Sequence, residues 1–104
     1  MTEREEFIIL IAKGGDNTVK VKYSKSALKF LAKIDSSQAA RIREGIAGLT
    51  KKPPEGDMKP LRGFQDGRMR LRIGNWRVIY RYDREGKIEI LLILDIGNRG
   101  DIYK

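Results

Sequence analysis

The chain has 104 residues, enough for one domain built on a single modest core. It contains no cysteine and no histidine, which excludes disulfides, thiolate metal sites and the commonest general base. Its formal net charge of +8 favours nucleic acid or another acidic partner.

Residues 2–6 read as a polar tail. The apolar run Phe7–Ala12 reads either as a short buried strand or as a packed turn of helix, and as an edge strand it would be open to pairing with a partner chain. It is far shorter than the ~20 residues a bilayer requires and follows acidic residues, unlike a signal peptide. A cytosolic protein with no membrane partner is expected. Lys13–Asn17 is a loop by its Gly, Asp and Asn content, and it closes a hairpin if both flanks are strands.

Thr18–Tyr23 alternates and is β-branched, which predicts a strand with Val19, Val21 and Tyr23 on the core face. Ser24 is placed to cap a helix whose stripe is Ala27, Leu28, Leu31 and Ile34, with Lys25, Lys29 and Lys33 along the other side. Asp35 caps a second helix, with Gln38 as its reciprocal partner and Ala39, Ile42, Ile46 and Leu49 as its stripe. Gly45 and Gly48 either weaken this helix by about 1 kcal/mol each relative to Ala or allow close packing on the first helix. A short joint at Asp35-Ser36 makes the two an antiparallel pair. Pro53–Asp57 ends the second helix, and residues 53–67 are expected to be a loop docked by Leu61 and Phe64.

Arg68–Asp83 reads as a β-hairpin. In the first arm Met69, Leu71 and Ile73 alternate with Arg68, Arg70 and Arg72. In the second, Trp76, Val78, Tyr80 and Tyr82 alternate with Arg77, Ile79, Arg81 and Asp83, and Gly74-Asn75 is the turn. Trp76 belongs to the core or its rim, and Tyr80 and Tyr82 to the core. From Lys59 to Arg84 there are eight basic residues against Asp66 and Asp83, so most of the surplus charge lies in and around the hairpin. Such an arginine face is either a solvated surface or a polyanion site. Crowded like charges favour the second, and arginine suits forked contacts to phosphate oxygens. Asp83–Gly86 turns the chain again, and Lys87–Ile96 is a last strand, continuously apolar over 90–94 as when both faces are covered. Residues 97–104 form a tail carrying Arg99 and Tyr103. Asp66, Asp83, Asp95 and Asp101 lack metal-ligand spacing, so no metal or cofactor is expected.

The order is strand, helix, helix and three strands. It predicts an α+β fold of two layers, a mostly antiparallel sheet with a two-helix hairpin packed on one face. This order, the motif Leu61-Arg62-Gly63, the segment Gly74-Asn75-Trp76-Arg77-Val78-Ile79-Tyr80 and the tail Ile96-Gly97-Asn98-Arg99-Gly100-Asp101-Ile102-Tyr103 resemble the RelE/ParE superfamily of bacterial toxins, the RelE side most. The resemblance runs from about Val19 to the C-terminus, so residues 1–18 are an extension atypical of the family within a single domain spanning 1–104.

The resemblance implies a toxin held inactive by a cognate antitoxin. It also implies cleavage of mRNA on the ribosome without a metal, by attack of the ribose 2′-hydroxyl on the adjacent phosphate. Matched position by position, the implied catalytic residues are Arg68, Arg70, Arg77, Arg99 and Tyr103. Arg62, Arg72, Arg81 and Lys104 are expected to add to RNA binding. Two positions depart from the pattern: many relatives have a histidine where this chain has Asn98, and a basic residue is common where it has Gly100. The alternatives are a ParE-type toxin that inhibits DNA gyrase without catalysis, and a catalytically weakened RNA-binding homologue.

Overall fold

Eight elements form among the residues that the computed structural model describes, 7–11, 19–63 and 65–98. They are β1 (Phe7–Ile11), β2 (Val19–Ser24), α1 (Lys25–Lys33), α2 (Ser36–Gly48), β3 (Asp57–Pro60), β4 (Met69–Ile73), β5 (Trp76–Glu85) and β6 (Ile88–Asn98). The strands make one sheet in the order β1-β2-β6-β5-β4-β3. Every neighbouring pair is antiparallel except β2 and β6, which run parallel. The α+β sandwich expected from the pattern is therefore present, with a strand added at each end of the sheet.

The period-two pattern assigns the faces. Val19, Val21 and Tyr23 of β2, Leu71 of β4, Val78 and Tyr80 of β5 and Leu91, Ile93 and Ile96 of β6 join Ala27, Leu31, Ala39, Ile42 and Ile46 of the helices in one buried cluster. Both helices lie on that face, because each must bury an apolar stripe and the sheet offers its own there.

Ser24 ties the layers together. Its Oγ accepts the Ala27 N–H at 3.1 Å, capping α1, and donates to the Leu94 carbonyl at 2.9 Å. Leu94 is where the β5–β6 ladder slips by one residue: Ile79 stands opposite Asp95 but Tyr80 opposite Ile93. The cap thus fastens the start of α1 to an irregularity in β6. Asp35 caps α2 as expected, accepting from the Ser37 N–H at 3.1 Å and from the Ser37 hydroxyl. These bonds hold the Asp35 carboxyl below the usual carboxylate range.

Several expectations are corrected. The loop expected over 53–67 contains β3, whose Met58 packs on the core from the position opposite Leu71. Gln38 does not complete a capping box. Its Oε1 accepts from the Trp76 indole at 3.0 Å, while the Phe30 ring meets Trp76 edge-on at 5.5 Å. Gly45 and Gly48 do not serve α1: a Cβ at Gly45 would lie 2.4 Å from the tip of Ile73, and one at Gly48 2.9 Å from the Glu55 carbonyl oxygen. They let α2 approach β4 and the chain that follows the helix. The last turn falls at Gly86-Lys87, with Gly86 at φ +61, so β5 runs on through Glu85. Tyr82 is 39 % exposed rather than core, and its hydroxyl donates to the Leu49 carbonyl at 2.8 Å, satisfying an orphan acceptor at the end of α2. Phe7–Ile11 takes the strand alternative and pairs with β2 in the expected hairpin. The loop at 13–17, Phe64 and residues 99–104 lie outside the described residues.

Replacing Ser24 by Ala removes both the cap and the tie to Leu94. Urea unfolding followed by circular dichroism should show a loss of about 1–2 kcal/mol with an unchanged slope.

Candidate functional site

The hairpin β4–β5 turns at Gly74-Asn75, where Gly74 takes φ +60. The register that follows places Met69 opposite Tyr80, Leu71 opposite Val78 and Ile73 opposite Trp76 on the helix side. The alternate positions face away from the helices. There Arg70 stands opposite Ile79 and Arg72 opposite Arg77. Arg68 and Arg81 flank the Met69–Tyr80 pair on the same side. Among the sequence-predicted residues, Arg68, Arg70, Arg72, Arg77 and Arg81 are thus brought onto one face. Arg62 is exposed on the loop between β3 and β4, and Arg99, Tyr103 and Lys104 lie outside the described residues.

The face extends beyond the hairpin. Lys59 stands opposite Arg70 on one side. On the other, Lys20 and Lys22 of β2 alternate with its core residues. Ile79, Ile90 and Leu92 are buried on this same side and give the cations an apolar floor. Lys59 and the pairing of Asp57 with Arg72 were missed from sequence because Pro60 and the preceding Pro53-Pro54 hide a strand of only four residues. The available signal was the alternation of Asp57, Met58 and Lys59, with only Met58 apolar.

The arginines differ in environment. Asp57 reaches Arg70 at 3.9 Å and Arg72 at 3.7 Å. Asp66 accepts from Arg68 Nε at 3.0 Å and lies 3.9 Å from Arg81. The Arg68 hydrogen bond, with Arg81 contributing less, holds the Asp66 carboxyl below the usual carboxylate range. Arg77 is the exception. It is only 8 % exposed, and among the described residues no carboxylate lies within ion-pair reach of it. Its Nη1 donates to the Trp76 carbonyl at 3.2 Å, leaving most of its donors uncommitted there. Across the ladder it faces Gly97, which adds no side chain to this face.

A buried cation without a counter-charge is costly, and an anion completes it. The described groups suited to move a proton are few. Burial pushes the Tyr23 and Tyr82 hydroxyls up, and burial reinforced by Tyr82 pushes Tyr80 up further still. The Tyr80 hydroxyl has no hydrogen-bond partner among the described residues. Three of the four tyrosines are therefore harder to deprotonate than a free tyrosine, and the fourth, Tyr103, belongs to the tail. Among the described residues no three carboxylates converge as a metal site requires.

Comparison with known proteins places this geometry in context. A family described as "ParE toxin of type II toxin-antitoxin system, parDE" matches residues 21–103. The toxin–antitoxin complex RelBE2 of Mycobacterium tuberculosis is similar, at 28% identity and a TM-score of 0.61 over 76% of this chain and 95% of that one. The archaeal RelE–RelB complex of Pyrococcus horikoshii matches at 30% identity and a TM-score of 0.56, over 78% of this chain and 94% of that one. No curated protein matches.

Arg77→Met tests the buried cation directly. In dilute chloride buffer the variant is expected to be as stable as wild type or more stable by about 1 kcal/mol, because a buried charge is exchanged for an apolar chain. Sulfate should raise the melting temperature of wild type and do so much less in the variant.

Proposed function

The chain belongs to the RelE/ParE superfamily of toxins of type II toxin–antitoxin systems, and from that premise we propose that it is an endoribonuclease that cuts mRNA on the ribosome. The observation that carries this reading is Arg77, a buried guanidinium with no carboxylate beside it among the described residues, set on a face with four further arginines. A group so placed holds a phosphodiester without first surrendering an internal partner.

The reaction this supports is transesterification. The 2′-oxygen attacks phosphorus, the bond from phosphorus to the 5′-oxygen breaks, and a 2′,3′-cyclic phosphate and a 5′-hydroxyl result. The 2′-hydroxyl gives up a proton and the leaving oxygen gains one. Negative charge grows on the non-bridging oxygens of the transition state, and donors fixed beforehand at that position stabilise it most. Arg77 supplies this from a water-poor position, and Arg70 and Arg68 align the neighbouring backbone. Arg99 and Tyr103 complete the assignment from the tail. That tail leaves β6 at Asn98, next to Gly97 and therefore next to Arg77. Arg62, Arg72, Arg81 and Lys104 extend the contact with RNA. An antitoxin partner, as in the two RelB-bound relatives, would hold the chain inactive.

A second reading is favoured by the ParE description of the matching family: a gyrase inhibitor that uses the same basic face without catalysis. A defined translation reaction with mapping of mRNA ends separates the two. Wild-type protein should produce discrete ends, Arg77→Ala should lower the rate by about 100- to 1,000-fold, and Tyr103→Phe should lower it as well. Intact message together with inhibited gyrase supercoiling would sink the nuclease reading.

A further inference from the structure

The arginine face carries its own anions, and their placement is unlike that of ordinary surface ion pairs. Asp57 and Asp66 each lie between two arginines: Asp57 between Arg70 and Arg72, Asp66 between Arg68 and Arg81. Both carboxylates are about half exposed and sit at the rim, Asp57 on the four-residue edge strand β3 and Asp66 on the loop before β4. We infer that Asp57 and Asp66 are internal stand-ins for RNA phosphates, which hold four arginines in a receiving arrangement and are displaced when a single-stranded backbone crosses the face. This rests on the reading of the face as an RNA surface, not on cleavage.

Distance and chemistry both support exchange. A carboxylate presents two oxygens to a guanidinium much as a phosphodiester does. Three of the four contacts, at 3.7, 3.9 and 3.9 Å, are longer than a charge-assisted hydrogen bond, and only Arg68–Asp66 at 3.0 Å reaches that length. The carboxylates are about half exposed, and pairs that reach solvent are weak and screened by salt, so a phosphate displaces them readily; the Arg70–Asp57 pair, whose arginine is only 12 % exposed, yields last. Their presence still relieves like-charge crowding, because Arg72 lies directly opposite Arg77 in the ladder and Asp57 directly opposite Arg72. The result is a face in two parts. Arg77, without a carboxylate, receives the first phosphate uncontested. The neighbouring phosphates then compete with Asp57 on one side and Asp66 on the other, where Asp83 also stands 3.8 Å from Arg81. Internal competition of this kind lowers affinity for any chance polyanion while keeping the arginines ordered.

The test measures binding of a 2′-O-methyl single-stranded oligonucleotide, which cannot be cleaved, to full-length Asp57→Asn, Asp66→Asn and the double variant across a salt series. Glu55→Gln is the control. It makes the same change in net charge but alters a carboxylate paired with Lys51, beyond the end of α2. Each Asp variant should bind roughly two- to fivefold more tightly than wild type, and with a steeper salt dependence as released arginines engage phosphate. Glu55→Gln should do neither. Weaker binding in the Asp variants would show that the carboxylates only position the arginines. Equal tightening in Glu55→Gln would reduce the effect to net charge. Either result overturns the inference. So does a wild-type face that ignores the oligonucleotide but binds poly-glutamate, which would assign it to an acidic protein. Loss of cleavage in the translation reaction, with these binding shifts intact, would strike only the nuclease reading.

Discussion

The register of the β4–β5 hairpin is the constraint on which the rest depends. Side chains in a strand alternate with a period of two, so a slip of one residue would carry every arginine into the core and every apolar residue into water. The tight turn at Gly74-Asn75 sets the register locally, and the helix face then enforces it. Leu71 and Val78 are buried opposite one another, Tyr80 beyond them, and α2 closes on β4 through Gly45. The arrangement of guanidiniums on the far face follows from this apolar zipper. The helices thus stabilise the site without touching it, because burying one face fixes the geometry of the other.

Patterns that repeat over many residues were legible in the chain. The two amphipathic helices, the caps at Ser24 and Asp35, the two-faced hairpin and the apolar last strand all follow from periodicity and short-range hydrogen-bonding chemistry. Features depending on long-range partners were not. β3 is four residues long and ends in proline, and it exists because β4 has a free edge to pair with. Gln38 had a local role open to it at the cap, but an indole N–H from a strand 38 positions away took its oxygen instead. The glycines of α2 read as weak points or helix-packing sites, and only the sheet reveals that Ile73 and the Glu55 carbonyl occupy the space. The parallel pairing of β2 with β6 joins segments near opposite ends of the chain, and nothing local encodes it.

The same division holds at the site. Composition and alternation sufficed to place the arginines on one face. They said nothing of how unequal those arginines are. Arg72 is largely exposed while Arg77 is nearly sealed, although the two are cross-strand neighbours. The difference comes from position in the sheet. β4 has only the short β3 outside it, whereas β5 is flanked by β4 and by the long β6, where Gly97 stands opposite Arg77. Position along the strand matters as much: the Arg70 side chain on β4 is 12 % exposed and that of Arg81 on β5 is 30 % exposed. The five arginines therefore grade from the nearly sealed Arg77 and Arg70 to the solvated Arg72.

That inequality bears on what a chain without histidine could do with a phosphate. Guanidiniums keep their protons, so the arginine face binds and polarises but does not trade protons. Desolvation pushes the Tyr23, Tyr80 and Tyr82 hydroxyls further from deprotonation, and Asp57 and Asp66 are engaged with arginines. Among the described residues, then, charge stabilisation comes from the arginines, and the groups on this face able to exchange a proton include Lys59, Asp83 and Asp95 besides Asp57 and Asp66. The sheet supplies what both readings of the family share, guanidiniums aligned on one face by an apolar zipper on the other, and a gyrase-binding toxin and an RNA-cutting one would differ only in whether a proton-exchanging group stands beside them.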